Sequence, residues 1–330
     1  MSAENTVSTT PFVSVVIPAH NEADYIADCI QSVFSAGHPR ERLEVLVVDH
    51  ASSDATRAIA LRAGASVLAL DAGRIGKVRN TGLAAARGDY VAYVDADCIV
   101  PSTWLKSAVA LLEADPKNGA VGGPCLSPKD GNWIENALAP STVTNGITKS
   151  ATALATSSLI TRAGLLKAIG GFDETLISGE DDDLSNRIRN RGFTLQWASD
   201  CHIVHRGYPR TLWGVVKKET WHGSNHIDVR SGLDLTLILT IAFLLATAGV
   251  LAFTCAVFPY PSATISTGLG LSILAQITPP MLYAIKRVKQ WPRDWYLLPR
   301  FALVGYGYFL GHGVGVLSNV WRKLRKWPPG

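Results

Sequence analysis

Apolar and polar positions follow two rhythms over the first two hundred residues. Val13-Ser14-Val15-Val16-Ile17-Pro18, Leu43 to Val48, Ser66 to Leu70 and Tyr90 to Val94 are short β-branched or aromatic runs, the pattern of strands buried in a sheet. Tyr25, Ile26, Cys29, Ile30, Val33 and Phe34 recur at helical spacing, closed by Gly37 and Pro39. Ala58, Ile59 and Leu61 mark a second helix capped by Ser52, Ser53 or Asp54, and residues 76–86 a third. Residues 101–115 continue as helix; Val121–Leu126, Leu154–Thr161 and Phe193–Trp197 read as strands. The Ser-, Pro-, Asn- and Gly-rich stretch 127–150 reads as a long loop. Strand and helix alternate throughout, which predicts an α/β fold: a parallel sheet with helices on both faces.

After residue 232 the rhythm is lost and apolar residues run almost unbroken. Leu233 to Phe258 carries one charge, Asp234, at its start, and Ala263 to Ile285 follows a Pro259-Tyr260-Pro261 turn. Each is long enough to cross a bilayer, which takes roughly 20 apolar residues, with Pro279-Pro280 kinking the second. Arg206, Arg210, Lys217, Lys218 and Arg230 precede the pair and Lys286, Arg287, Lys289 and Arg293 follow it. Basic flanks stay cytosolic, so the two spans form a hairpin. A third apolar but glycine-rich segment, residues 301–321, is either a third span or a re-entrant or interfacial piece; the latter keeps Arg322, Lys323, Arg325 and Lys326 on the cytosolic side. Trp213, Trp221, Trp291, Trp295 and Trp327 stand near these boundaries as interfacial anchors. The chain thus divides into a polar, disordered N-terminus (1–11) without a signal peptide, a folded domain (12–231) and a membrane region (232–330).

Composition agrees with that division. Of 330 residues, 47% are hydrophobic and 18% charged, and mean hydropathy is +0.16; the apolar excess lies after residue 232. The net charge of +4 is too mild for nucleic acid, and no basic stripe with interleaved aromatics occurs. The five cysteines lack zinc or disulfide-framework spacing and suit a reduced cytosolic setting.

The chemistry gathers at three places. Asp95 and Asp97 end an apolar strand; continued through Asp97, that strand puts both carboxylates on one side, at the strand end where open α/β sheets bind ligands. Two hard oxygen ligands suit Mg²⁺ or Mn²⁺, which in turn suits a diphosphate. Four consecutive acids, Glu180 to Asp183, repel one another unless neutralised. A cap from Ser178 and the helix dipole account for two or three of them; the alternative is a site in which one carboxylate is a general base. His205 closes an apolar run and can serve as a third metal ligand, while His20, His202, His222 and His226 read as surface or packing residues. No Gly-x-Gly-x-x-Gly follows the first strand and no Walker-type loop occurs.

Taken in order, Val13–Glu22, Val47–Thr56, Val78–Gly88, Tyr90–Asp97, Gly170–Glu174 and Gly179–Gly192 resemble the family 2 glycosyltransferases. The resemblance implies a GT-A fold, with a mixed, mainly parallel sheet. It implies that Pro18, Glu22, Asp49 and His50 hold the nucleotide, that Lys77 and Arg79 lie at the diphosphate, and that Asp95 faces the ribose. Asp97 and His205 become metal ligands, Asp181 the general base, and Glu180 its partner in the catalytic Glu-Asp pair. His50 stands where the family usually has Asp or Asn, which leaves the base open; a uridine diphosphate sugar is the default donor. The implied activity is inverting sugar transfer to a membrane-associated acceptor, such as a lipid-linked glycan, a polyprenyl phosphate or a growing polysaccharide. Such an enzyme sits at the inner (plasma) membrane with its catalytic domain in the cytoplasm. The competing readings are a nucleotidyltransferase or other nucleotide-sugar enzyme, which lacks the Gly-Glu-Asp base before a helix, and an inactive membrane scaffold, which loses Asp97 or Asp181.

Overall fold

Val13, Val15 and Ile17 face one core and Val16 the other, so the first apolar run is a strand covered on both sides. It is β1 (Val13–Ala19), followed by α1 (Ile26–Phe34), β2 (Leu43–His50), α2 (Thr56–Arg62), β3 (Ser66–Leu70), α3 (Ile75–Ala85), β4 (Tyr90–Val94), β5 (Cys98–Ile99), α4 (Trp104–Ala114), β6 (Asn118–Gly122) and β7 (Cys125–Leu126). Then come α5 (Trp133–Leu138), β8 (Thr148–Ala151), β9 (Ser158–Arg162), α6 (Ala163–Ala168), α7 (Glu180–Asn190), β10 (Thr194–Ala198) and β11 (Ile203–His205). The computed structural model describes residues 10–140, 142–229, 235–257, 264–290 and 296–325. They fall into two units: residues 10–128 and 142–207, and residues 129–140 with those from 208 onward.

The first unit is built on an eight-stranded sheet, order β3-β2-β1-β4-β9-β6-β10-β8. Four of its seven strand pairs are parallel; β9 is antiparallel to β4 and β6, and β8 to β10. This is the mixed, mainly parallel sheet that the GT-A resemblance implies. The β1–β4 register ends at Val16↔Tyr93 while β1–β2 continues to Ala19↔Asp49. Pro18, with no N–H to donate, thus stands where β1 has lost one neighbour. α1, α2 and α4 cover one face through Ile26, Ile30, Ala60 and Trp104; α3, α6 and α7 cover the other through Val78, Leu166 and Ile188. Each such buried aliphatic side chain contributes roughly 1.5–3 kcal/mol. A second sheet, β5-β11-β7, brings the end of the domain back beside the end of β4.

Several elements depart from the sequence pattern. The run expected at 121–126 is two strands, divided at Gly123, whose backbone passes so close to Cys201 O that a Cβ would sit 2.1 Å from it. The expected 127–150 loop holds α5 and β8. α5 starts in a capping box: the Asn132 side chain accepts from the Ile134 and Glu135 N–H groups, and Glu135 accepts from Asn132 N–H. Ser178 does not cap α7; its N-cap is Gly179, in the left-handed region at φ 77°. The N-cap position of α2 is Ala55, and of Ser52, Ser53 and Asp54 it is Asp54 whose carboxylate accepts from the first helical N–H, Thr56, at 2.9 Å.

The second unit is helical: α5, α8 (Leu212–Val229), α9 (Leu235–Val257), α10 (Thr264–Gln290) and α11 (Leu298–Arg325). α10 runs on through Pro279 and Pro280. The glycine-rich segment 301–321 lies within one 28-residue helix, and three of its glycines, Gly307, Gly311 and Gly315, face α8. A Cβ on Gly311 would meet Val216 O at 2.3 Å, and one on Gly315 would meet Thr220 O at 2.2 Å, so only glycine permits this backbone approach. Among the described residues, one helix, Leu298–Arg325, is long and apolar enough to cross a membrane; the apolar stretch Leu235–Val250 is shorter. The outer ends of the expected spans 233–258 and 263–285, with Arg230, Arg293, Trp291, Trp295, Lys326, Trp327 and residues 1–9, lie outside the described residues.

Candidate active site

β4 ends at Val94, three residues before Asp97, and the chain turns: Cys98 N–H donates to Asp95 O at 3.0 Å. The pleat of a strand therefore does not pair Asp95 with Asp97. The turn sends them to different partners. Asp95 Oδ1 lies 3.5 Å from Arg79 Nη2. Asp97 Oδ2 lies 3.6 Å from His205 Nε2, because β5 pairs antiparallel with β11, Cys98 opposite His205, and Arg206 N–H donates to Asp97 O at 2.8 Å. Gly207 N–H donates to His205 Nδ1 at 3.1 Å and fixes the ring. Gly207 itself lies against Asp97: a Cβ there would stand 2.0 Å from Asp97 Oδ2.

Arg79 links this turn to α7. Its guanidinium is 5% exposed and donates through Nη1 to Glu180 Oε1 and through Nη2 to Asp95 Oδ1. Two side chains hold α3 and α7 in the register this needs. Asn80 Oδ1 accepts from Phe172 N–H, and its Nδ2 donates to Phe172 O and Glu174 Oε1. Arg187 donates to Ile169 O and Gly171 O and pairs with Asp183 across one helical turn at 2.7 Å. The acidic run is thus divided by role: Glu180 neutralises Arg79, Asp183 pairs within the helix, and Asp181 follows Glu180 in the first turn. Burial, with the Glu180 charge beside it, pushes Asp181 up to about 6. Arg79, expected at the diphosphate, is engaged by these two carboxylates, and Lys77 is the exposed cation on α3.

The loops after β1 and β2 are knitted together. Asn21 (φ 56°) and Ala51 (φ 51°) adopt left-handed backbone. Asn21 N–H donates to Ser52 Oγ at 2.9 Å and Asn21 Oδ1 accepts from Ser53 N–H at 2.8 Å. Asp49 is buried and accepts from Ser52 N–H. His20 Nδ1 is 2.6 Å from His50 O, and the two rings lie 5.8 Å apart. Burial first, then the Asp97 and Asp95 charges, raise Glu22 to about 7. Glu22, Asp49 and His50 therefore share one loop cluster. His20, read from sequence as a surface or packing residue, belongs to it, as Gly207 and Arg206 belong to the Asp97–His205 side. A glycine two residues after a strand-terminal histidine was the signal for Gly207; nothing in the pattern marks His20.

Ligand atoms of Asp97, Cys98 and His205 lie within 4.8 Å of one another. Burial raises the Cys98 thiol well above its ordinary range, and a thiol is a softer ligand than the carboxylate and imidazole beside it. The remaining oxygen and imidazole donors fit a hard divalent cation such as Mg²⁺ or Mn²⁺.

Comparison with known proteins identifies the family. The Glycosyl transferase family 2 model matches residues 14–164 and the Glycosyl transferase family group 2 model matches residues 90–323. Glycosyltransferase AglE of Haloferax volcanii is 31% identical over 232 residues, 67% of this chain and 75% of that protein. A beta-monoglucosyldiacylglycerol synthase of Trichormus variabilis is 24% identical over 320 residues, 85% of this chain and 66% of that protein. In fold, the chain resembles the mannosyltransferase PcManGT from Pyrobaculum calidifontis, solved in complex with GDP-Man and Mn²⁺, with a TM-score of 0.62 and 22% identity over 96% of this chain and 89% of that one. With the ordered motifs now seen to build one sheet-end site, the chain belongs to glycosyl transferase family 2, whose members move a sugar from a nucleotide-sugar donor to an acceptor.

Proposed function

We propose that this glycosyltransferase inverts the anomeric centre of its donor sugar and delivers it to a hydroxyl or phosphate of an acceptor held at the inner (plasma) membrane, with the first unit on the cytoplasmic side. The carrying observation is the bridge from Asp95 through Arg79 to Glu180, which ties the first turn of α7, and with it Asp181, to the Asp-x-Asp turn. Glu22, Asp49 and His50 cup the nucleotide of a uridine diphosphate sugar, with Pro18 shaping the end of β1. Asp95 meets the ribose, and Lys77 supplies positive charge to the diphosphate. Asp97 and His205 would hold Mg²⁺ or Mn²⁺, which when bound supplies positive charge for the leaving diphosphate.

Asp181 accepts the proton of the acceptor hydroxyl as that oxygen bonds to the anomeric carbon and the bond to the diphosphate breaks. A carboxylate raised to about 6 is a stronger base than a free aspartate yet still ionised at pH 7. Arg79 is a positioning residue: its ion pairs hold Glu180 and Asp95 in place. Membrane attachment is supported by large apolar side chains left exposed on the second unit, Leu235 at 70%, Leu245 at 68% and Leu274 at 63%, and by the apolar helix Leu298–Arg325.

The test is donor cleavage by the full chain in detergent, with a panel of uridine and guanosine diphosphate sugars and added Mg²⁺ or Mn²⁺. The expected result is metal-dependent cleavage of one donor, reduced at least about 10²-fold in Asp97→Ala. Equal turnover in Asp97→Ala overturns the metal assignment; no donor bound or cleaved under any condition favours the scaffold reading.

A further inference from the structure

The Asp97–His205 pair has a neighbour that the proposed transfer does not use. Cys98 follows Asp97 directly and, on β5, stands opposite His205 of β11, and residues paired across two strands share a face. The Cys98 Sγ donates to Asp97 Oδ1 at 3.5 Å, while Asp97 Oδ2 lies 3.6 Å from His205 Nε2. One oxygen, one sulfur and one nitrogen from these three side chains lie within 4.8 Å of one another. Bonds of about 2.0–2.3 Å to a single tetrahedral ion set its donor atoms roughly 3.3–3.8 Å apart, so the trio has to close by no more than about 1 Å. Cys98 is buried, and the Asp97 and His205 side chains are 17% and 15% exposed, so an ion reaches the sulfur past the carboxylate and the imidazole.

We propose that Asp97, Cys98 and His205 form a site for a thiophilic divalent cation, Zn²⁺ or its analogue Cd²⁺, which competes with the hard ion of the transfer reaction. Carboxylate, imidazole and thiolate are the donor types of zinc sites, and a site with three protein ligands keeps a fourth position for water. Sulfur ligands select zinc-like ions, whereas Mg²⁺ and Mn²⁺ are suited by oxygen, so Cys98 discriminates between the two classes. As the metal–sulfur bond forms, the Cys98 S–H bond breaks and its proton passes to water; nothing is oxidised or reduced. The bound ion then differs in charge. With Asp97 as its one anionic ligand, a divalent ion keeps a net single positive charge, and a thiolate cancels it. The leaving diphosphate loses that charge, so a thiophilic ion here inhibits transfer. The inhibition rests on the metal assignment proposed above; the binding of the ion does not.

The experiment titrates the detergent-purified full chain with Cd²⁺ under a phosphine reductant, read by the ultraviolet charge-transfer band of a cadmium–thiolate bond. In parallel, Zn²⁺ and Mg²⁺ compete against Mn²⁺, read by electron paramagnetic resonance. Cd²⁺ is expected to raise the band, and Zn²⁺ to displace Mn²⁺ at a concentration at least about tenfold below that of Mg²⁺. Cys98→Ser should lose the band and lower the ratio of Zn²⁺ to Mn²⁺ affinity at least about tenfold, a change of preference that a general loosening of the fold would not produce. Cys29→Ser removes a second buried thiol at this turn, with its Sγ 3.5 Å from Asp95 O, and should keep both. In donor cleavage with Mn²⁺, added Zn²⁺ should inhibit. A band that survives in Cys98→Ser places the cadmium on another cysteine, and an unchanged Zn²⁺ to Mn²⁺ ratio removes the sulfur from the ligand set; either overturns the proposal. Zn²⁺ that supports cleavage as well as Mn²⁺ does overturns the inhibition. The cadmium band needs neither Mn²⁺ nor donor, so it is decided apart from the transferase reading.

Discussion

Arg79 shows what a single residue does at this site. A buried guanidinium and the carboxylates it meets are costly to desolvate singly and tolerable only together. Arg79→Met leaves Glu180, 11% exposed in its side chain, without its cation, and should destabilise the first unit by about 3–5 kcal/mol in denaturant unfolding. The double variant Arg79→Met, Glu180→Gln should recover part of that loss, because no unpaired charge then remains. Equal destabilisation in single and double variants would show that packing, not charge, dominates. Asp181 gives the second prediction. Its carboxyl titrates near 6 in the fold, and a base acts only when deprotonated, so transfer should rise as pH increases through about 6 and level off above 7. Asp181→Asn should lose at least about 10²-fold in transfer and keep donor binding; a pH profile already flat from 4 to 8 in the native enzyme assigns the base elsewhere. Both residues stand out in the sequence, since four acids in a row and a basic residue in a polar helix face invite a chemical reading. Their partnership does not, because 101 positions separate Arg79 from Glu180 and no local pattern carries a contact that long.

At the scale of elements, the sheet was legible because burial on both faces forces unbroken apolar runs, and β4, buried at every position, falls on the stretch Tyr90–Val94 read from the chain. Short elements were not. α5 is six residues long, too few for a period of 3.6 to register, and its Asn132-x-x-Glu135 capping box was the one available sign of it. The end of β4 misled for a related reason: apolar residues through Val94 continue into Asp95-Ala96-Asp97 without a proline or glycine to mark the turn. What places Asp97 is instead β11, three residues that pair across to β5 and bring His205 alongside. Gly207, two residues past the end of β11, is the tightest point there. Gly207→Ala must displace either its own backbone or the Asp97 carboxylate, since the added Cβ would stand 2.0 Å from Asp97 Oδ2. Shifting a group that orients a ligand typically costs 10–100-fold in metal affinity. Mn²⁺ titration followed by electron paramagnetic resonance should therefore show at least about tenfold weaker binding in Gly207→Ala, with the melting temperature little changed. Unchanged Mn²⁺ affinity would remove Asp97 from the ligand set.

Across the whole molecule, the break in pattern near residue 232 was the clearest sequence signal, and it does not coincide with the boundary between the two compact units. α8 begins at Leu212 and packs with α11, and residues 129–140 join the same helical unit from the middle of the catalytic chain. The reason lies in the glycines of α11. Gly311 and Gly315 come against the α8 backbone at Val216 O and Thr220 O, so over that length the contact is made by backbone rather than by a hydrophobic stripe, and Val215 is the buried apolar residue that α8 adds beside Phe301 and Val304. Arg206, counted from sequence as a flanking charge of the membrane region, instead pairs with Asp28 in the first unit at 2.5 Å. A helical unit that packs through small residues directs its large ones outward, as Leu303 and Leu317 of α11 and Leu274 of α10 are. In water that surface is an aggregation hazard; in hydrocarbon it is the ordinary lipid-facing exterior. The chain should accordingly sediment with membranes, stay there through a wash in alkaline carbonate, and enter solution only with detergent. Release by carbonate alone would mean that the exposed side chains lie on an interface rather than in the bilayer, and the acceptor would then have to be sought in solution or on a surface polymer.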